Sequence, residues 1–132
     1  MQAADTAGVT PPRSALVVED NAELCDVIVS LLETCGLQVS ATGDGLKARE
    51  LLLQENYGIV VCDLDLPGIS GDQLFVLCRQ ERPDLAERFV FITGGWHLRN
   101  ETFLPDAGQP YLLKPFNCSM LVELVRSTMD GG

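Results

Sequence analysis

The segment at residues 57–71, YGIVVCDLDLPGISG, contains the pattern that decides the fold of this chain. It includes a short run of β-branched and apolar residues, 59–62, which is typical of a strand buried on both faces of a parallel sheet. The run ends at Asp63, and Asp65 and the turn signal Pro67-Gly68 follow. Because ligands bind at the carboxyl ends of strands in open α/β sheets, we expect Asp63 to be a functional residue. The alternative for a single aspartate in a turn is a surface residue that caps a loop.

Short apolar runs alternate with helical stripes on both sides of this segment. The runs lie at residues 15–18, 37–42, 59–62, 88–92 and 111–113. The clearest helical stripe lies between the first two runs, where apolar residues recur at helical spacing until a glycine ends the pattern. This alternation predicts one α/β domain, doubly wound, in which helices cover both faces of a five-stranded parallel sheet.

Three segments are less regular. Residues 1–14 show no periodicity and contain Pro11-Pro12, so we expect a flexible lead-in or linker before a domain at residues 15–130. The third helix is expected to end at Pro83. Residues 96–110 suggest only a short helix, because two prolines and a glycine interrupt anything longer.

Composition limits the classes of partner. The chain has 132 residues and a formal net charge of −10, from 19 acidic and 9 basic residues. Nucleic-acid binding requires clustered Lys and Arg, so we expect metal cations and proteins as partners and no direct nucleic-acid ligand. No apolar run reaches the roughly 18–20 residues that span a bilayer, and no signal peptide opens the chain, which predicts a cytoplasmic domain without a membrane partner. The five cysteines form no CxxC pair and are expected to be buried thiols.

Charged and polar residues stand at the ends of four predicted strands. They are Glu19-Asp20 after the first, Asp63 after the third, Thr93 after the fourth and Lys114 after the fifth. Because parallel strands end at one edge of a sheet, we expect these groups to converge. Carboxylates without Cys or His select a hard divalent cation, Mg²⁺ or Mn²⁺. The lysine and the threonine provide a positive charge and a donor for an anion such as a phosphoryl group.

The chain resembles the receiver domain of two-component response regulators over nearly all of its length outside the lead-in. The motifs that carry this resemblance each stand at a strand end and occur in the family's order: Glu19-Asp20, the segment DLDLPGISG at residues 63–71, Ile92-Thr93 and Lys114-Pro115-Phe116. The resemblance implies a flavodoxin-like (βα)₅ fold with strand order 2-1-3-4-5 and a cis Lys114–Pro115 bond.

The resemblance also implies a chemical role for the acidic residues. Asp63 would be the phosphoacceptor, which takes a phosphoryl group from the phosphohistidine of a sensor histidine kinase or a histidine phosphotransfer protein. Asp20 and Asp63 would bind Mg²⁺ through their side chains. Asp65 would bind it through its backbone carbonyl, and Glu19 would act through water.

A switch of a protein-interaction surface is implied as well. Lys114 and Thr93 would bind the phosphoryl oxygens, and Tyr111 would be the aromatic switch residue whose rotation follows the threonine. The phosphoryl group adds a charge of about −1.5 to −2, so these groups are drawn toward it and the surface read by a downstream effector protein or domain repacks. The domain stands alone or belongs to a larger protein such as a hybrid sensor histidine kinase. It is not expected to be an enzyme beyond its own phosphorylation and dephosphorylation.

Two alternatives remain open at the level of sequence. A phosphatase of the haloacid dehalogenase type would use Asp63 and Asp65 as its DxD pair, but it also needs metal-binding acids downstream of the lysine. Here only Glu123 and Asp130 follow. A phosphorylation-independent interaction module on the same fold would usually have lost an acid, the threonine or the lysine, and none is missing.

Overall fold

The computed structural model describes residues 12–94 and 108–130. Within these residues, five strands form one parallel sheet in the order β2-β1-β3-β4-β5. The strands are β1 (Ser14–Val18), β2 (Gln38–Thr42), β3 (Ile59–Asp63), β4 (Phe89–Thr93) and β5 (Tyr111–Leu113). The predicted flavodoxin-like α/β fold and its strand order are confirmed.

Five helices connect or follow the strands in the described part of the chain. They are α1 (Ala22–Thr34), α2 (Gly45–Gln54), α3 (Gly71–Glu81), α4 (Pro83–Ala86) and α5 (Cys118–Met129). Asn21, Asp44 and Asn117 each precede a helix and accept a hydrogen bond from a first-turn N–H group. These side chains satisfy donors that the helix itself leaves free, which explains where α1, α2 and α5 begin.

The boundary at Pro83 differs from the prediction. The third helix ends at Glu81, and Pro83 begins the short helix α4 instead of terminating α3. Proline suits the first position of a helix, because the N–H that it lacks would have no partner there.

The core consists of two layers, one on each face of the sheet. Alternate residues of β1 and β3 point to opposite faces of the sheet. Because helices cover both faces, every residue of β3 is buried. One layer joins the sheet to α2, α3 and α4, and contains the edge-to-face aromatic contacts of Phe75 with Phe89 and Phe91. The other layer joins the sheet to α1 and α5. Burial on both faces fixes the sheet and therefore the positions of the strand ends.

Some sequence predictions meet a different outcome or lie outside the described residues. Of the five free cysteines, only Cys62 and Cys78 are buried; two are partly exposed, and Cys118 is exposed. Of the lead-in predicted at residues 1–14, residues 1–11 are not described, and Ser14 is already the first residue of β1. Residues 95–107 are not described either, so the short helix predicted there lies outside the described residues. Among the described residues, no helix is long and apolar enough to cross a membrane.

Candidate functional site

The strand ends that the sequence singled out lie side by side at one edge of the sheet. Asp63 ends β3 and is paired with Ile92 of β4, while Thr93 ends β4 and is paired with Leu113 of β5. The next residue, Lys114, donates its backbone N–H to the carbonyl of Thr93 at 2.8 Å. Parallel pairing thus brings together Asp63 and Lys114, which are 51 positions apart in the chain.

Lys114 lies between two buried carboxylates. Its Nζ is 3.0 Å from Asp63 Oδ2 and 3.2 Å from Glu19 Oε1. Asp63 and Glu19 are only 1% and 2% exposed, whereas about a quarter of the lysine side chain remains exposed. Water therefore screens the carboxylates little, and the lysine supplies the positive charge that makes their burial tolerable. The Lys114–Pro115 peptide bond is cis.

The acidic residues form a cluster of the kind that holds a cation. Oxygen atoms of Glu19, Asp20 and Asp63 lie within 4.8 Å of one another. Glu19 Oε2 accepts a hydrogen bond from the N–H of Asn21, but its buried Oε1 accepts no well-directed hydrogen bond from the described residues. Three carboxylates, one of them exposed Asp20, fit a hard divalent cation such as Mg²⁺, which prefers oxygen ligands and retains several waters.

The pKa values at this site reflect burial first and the neighbouring charges second. Burial raises the pKa of Glu19 and the charge of Asp63 raises it further, although hydrogen bonding to Asn21 and the charge of Lys114 act in the other direction. Burial by itself lowers the pKa of Lys114, but its hydrogen bond with Asp63 and its ion pairs with Asp63 and Glu19 outweigh that effect and raise it. The lysine is therefore held in its charged form.

Thr93 and Asp65 form a second group of contacts at the same edge. The Thr93 side chain is fully buried, and its hydroxyl lies 3.3 Å from Asp65 Oδ2. The same carboxylate oxygen accepts a hydrogen bond from the N–H of Gly94 at 3.1 Å, and the N–H of Asp65 donates to Asp63 Oδ1 at 2.9 Å. Sequence reasoning assigned Mg²⁺ binding to the backbone carbonyl of Asp65 and did not predict that its side chain contacts Thr93 and Gly94.

Tyr111 begins the edge strand β5 and is 39% exposed. It lies three residues before Lys114, and its role as the switch residue stays a prediction. The sequence also gave no role to Gly71, the first residue of α3. A Cβ atom at this position would lie 2.5 Å from the carbonyl oxygen of Asp63, so only glycine lets α3 approach the end of β3 this closely.

Comparison with known proteins decides the family. The family described as response regulator receiver domain matches residues 15–126, which is most of the chain. The chain belongs to this family. Receiver domains are phosphoacceptor switches of two-component signalling and are in general not enzymes, and they bind Mg²⁺ in an acidic pocket.

Curated relatives extend beyond this receiver domain. The sensory transduction protein RegX3 of Mycolicibacterium smegmatis is 28% identical over 120 residues, which cover 90% of this chain and 51% of RegX3. The DNA-binding response regulator MtrA of Mycobacterium tuberculosis is 30% identical over 115 residues, which cover 86% of this chain and 49% of MtrA. The chain therefore spans about half the length of these relatives.

Solved receiver structures share the fold over nearly the whole chain. A CheY-like receiver domain protein from Methanospirillum hungatei has a TM-score of 0.81 at 25% identity. The match covers 90% of this chain and 94% of that protein's chain. The response regulator TrrA from Thermotoga maritima, solved in complex with Mg²⁺ and BeF, has a TM-score of 0.77 at 26% identity. The match covers 87% of this chain and 97% of the TrrA chain. A third structure is the receiver domain of sensor histidine kinase PA1611 from Pseudomonas aeruginosa, which has Mg²⁺ in its active-site cleft. Its TM-score is 0.77 at 23% identity, and the match covers 93% of this chain and 100% of that domain.

Proposed function

We propose that this receiver domain accepts a phosphoryl group on Asp63 from the phosphohistidine of a partner protein. The observation that carries the proposal is the contact of Lys114 with Asp63 inside a cluster of three carboxylates. A buried aspartate beside both a fixed ammonium and a cation-binding cluster is suited to attack a phosphorus atom whose oxygens carry negative charge.

The chemical step is a transfer from nitrogen to oxygen. An oxygen of Asp63 forms a bond to phosphorus while the bond between phosphorus and the histidine nitrogen breaks, and the imidazole leaves with the electron pair. Both oxygens of Asp63 are held in place beforehand, Oδ1 by the N–H of Asp65 and Oδ2 by Lys114. This orientation lowers the entropic cost of reaching the transition state.

The neighbouring residues bind the negatively charged phosphoryl group and the cation that accompanies it. We propose that Asp20, Asp63 and the backbone carbonyl of Asp65 would bind Mg²⁺, with Glu19 acting through water. The ion would supply positive charge that offsets the charge of the carboxylates and of the phosphoryl group. Lys114 stays within reach of the phosphoryl group and forms an ion pair with it. The hydroxyl of Thr93 turns toward it as a hydrogen-bond donor.

The phosphoryl group then biases the surface beyond Thr93. Movement of this buried side chain changes the packing at the edge strand, and Tyr111 rotates in response. The rotation changes the surface that an effector binds. We propose a sensor histidine kinase or a histidine phosphotransfer protein as the donor and a protein or an attached domain as the effector. Membership of a hybrid sensor histidine kinase stays a prediction, and the coding sequence on either side of the domain tests it.

Phosphorylation by a small donor tests the proposal directly. The domain is incubated with acetyl phosphate and Mg²⁺, and its intact mass is measured. We expect the mass of one phosphoryl group to be added, and to be absent in Asp63→Ala and after removal of Mg²⁺ by a chelator. Added mass that survives Asp63→Ala would refute the assignment of the phosphoacceptor.

Two further assays separate the alternatives. Steady turnover of p-nitrophenyl phosphate would favour a phosphatase that uses Asp63 and Asp65. A failure to bind Mg²⁺ at millimolar concentration would favour an interaction module that works without phosphorylation. The phosphoacceptor proposal expects Mg²⁺ binding and no steady turnover.

A further inference from the structure

Asp65 carries a carboxylate that the proposed phosphotransfer does not use. Its Oδ2 accepts hydrogen bonds from the Thr93 hydroxyl and from the N–H of Gly94, at 3.3 and 3.1 Å. Its own N–H contacts Asp63 Oδ1 at 2.9 Å. Asp65 therefore connects Asp63 with Thr93 and Gly94 at the end of β4.

The two donors that Asp65 engages lie at the same edge of the sheet as Asp63. Thr93 is the donor assigned to the phosphoryl group, and the N–H of Gly94 converges with its hydroxyl on a single oxygen atom. A hydroxyl and an amide each have one hydrogen to donate. Neither donor can make a full hydrogen bond to Asp65 and to a phosphoryl oxygen at the same time.

We propose that Asp65 is a built-in competitor of the phosphoryl group, an inference that rests on the proposed phosphoacceptor function. Its carboxylate occupies Thr93 and Gly94 before phosphorylation and releases them when the phosphoryl group arrives. Asp65 thereby stabilises the unphosphorylated arrangement and determines how readily phosphorylation changes the conformation. It is a positioning residue, because it acts through the donors of the phosphoryl group.

The surroundings allow this exchange to take place. Asp65 and Gly94 are both exposed, so the carboxylate has water to move into. Exchange takes place when a stronger acceptor, with more charge than one carboxylate, takes the two donors.

Binding of a phosphoryl analogue measures the competition. Beryllium fluoride is titrated in the presence of Mg²⁺ into the wild type, Asp65→Asn and Asp65→Ala, and the fluorescence of the single tryptophan, three residues after Thr93 in the sequence, is recorded. We expect Asp65→Ala to bind the analogue about tenfold more tightly than the wild type, the scale of one charge-assisted hydrogen bond. Asp65→Asn, which keeps an acceptor oxygen but loses the charge, should lie between the two.

Two controls separate competition from a general effect of charge. Glu23→Gln removes one exposed negative charge from the first turn of α1, which follows the acidic cluster in the sequence, and should change the affinity by less than about twofold. In a Thr93→Ala background, the gain from Asp65→Ala should shrink at least threefold, because one of the contested donors is gone. An equal gain in Glu23→Gln, or an undiminished gain without Thr93, would overturn the proposal.

The amide of Gly94 provides a signature that a purely structural role would not give. In ¹H–¹⁵N spectra its proton should shift upfield in Asp65→Ala, because the hydrogen bond is lost, and should return downfield when beryllium fluoride is added. An unchanged Gly94 amide in Asp65→Ala would refute the competition. A wild type that binds neither Mg²⁺ nor the analogue would refute the phosphoacceptor function itself, so the two failures are distinguishable.

Discussion

Lys114 is the residue on which the charge balance of the site depends. It is the cation within 3.2 Å of both buried carboxylates, Glu19 and Asp63, and its pKa is raised by them against the effect of burial. Two carboxylates facing one ammonium leave an excess of negative charge, to which exposed Asp20 adds. This excess predicts that a bound cation stabilises the domain.

Replacing the lysine tests this balance. Lys114→Met keeps the aliphatic stem but leaves two buried carboxylates without a cation, so we expect the metal-free free energy of unfolding to fall by about 1–3 kcal/mol. Because the pKa of Lys114 is raised above 10.5, the difference from wild type should be fully present below that pH and vanish as the pH rises through the raised value. Denaturant unfolding at several pH values measures it.

Lys47→Met is the matched control for this substitution. Lys47 is exposed and lies 3.8 Å from exposed Glu50, a pair that contributes little to stability. Its replacement should change the free energy of unfolding by less than about 0.5 kcal/mol. Equal losses for both lysines would mean that Lys114 has no special role in stabilising the site.

Asp63→Asn should raise stability in the absence of metal. The substitution removes one of two buried carboxylates, while Lys114 keeps Glu19 as its partner at 3.2 Å. We expect a metal-free free energy of unfolding that is higher by about 1 kcal/mol, together with a loss of stabilisation by Mg²⁺. Thermal denaturation with and without Mg²⁺ measures both effects. A lower melting temperature would mean that the ion pair of Asp63 with Lys114 outweighs the repulsion between the carboxylates.

At the scale of secondary-structure elements, the contact between α3 and the end of β3 holds the phosphoacceptor segment. A Cβ atom on Gly71 would lie 2.5 Å from the carbonyl oxygen of Asp63 and 3.0 Å from the Cα of Leu64. Backbone atoms cannot yield as a flexible side chain can. The start of α3 and the strand end therefore move together.

Gly71→Ala should separate these two elements. We expect a loss of about 1–3 kcal/mol in the free energy of unfolding, from the overpacking, and a weaker affinity for Mg²⁺, because Asp63 shifts with its carbonyl. The control is Ile59→Val at the opposite end of β3, which should cost about 0.5–1.5 kcal/mol and leave Mg²⁺ affinity unchanged. A Gly71→Ala protein that binds Mg²⁺ like the wild type would contradict this coupling.

Thiol labelling tests which faces of α3 and α5 are buried. Cys78 lies on the inner face of α3 and burial raises its pKa to about 11, whereas Cys118 is exposed at the first position of α5. A buried thiol with this raised pKa is almost wholly protonated at pH 8, so Cys78 reacts only when local opening exposes it. We expect native iodoacetamide to modify Cys118 and to modify Cys78 only after denaturation, as read by peptide mass spectrometry. Rapid native labelling of Cys78 would contradict this packing.

At the scale of the whole molecule, a net charge of −10 makes every added cation stabilising to some degree. Specific binding at the acidic cluster should exceed this general effect. We expect Mg²⁺ at a hundredfold excess over its Kd to raise the free energy of unfolding by about 2.7 kcal/mol. Sodium chloride at matched ionic strength, and Mg²⁺ added to Asp20→Asn, should each give much less. Equal stabilisation by both salts would show that the acids do not form a site.

The sequence by itself determined the fold class, the strand order through the family resemblance, and the identity of the converging residues. This was possible because each signal is local. Burial on both faces makes β3 a continuous apolar run, and the parallel topology places every residue that follows a strand at one edge. Asp63, Glu19 and Lys114 therefore meet as predicted from their positions alone.

Only the tertiary structure decided what each side chain contacts within that edge. The carboxylate of Asp65 bonds to Thr93 and Gly94, which lie 28 and 29 residues away, and the space left for Gly71 is set by the backbone of a different element. Such contacts depend on the distance between packed elements to within about an ångström. Periodicity and spacing along the chain report which face a residue occupies, and they contain no information about that distance.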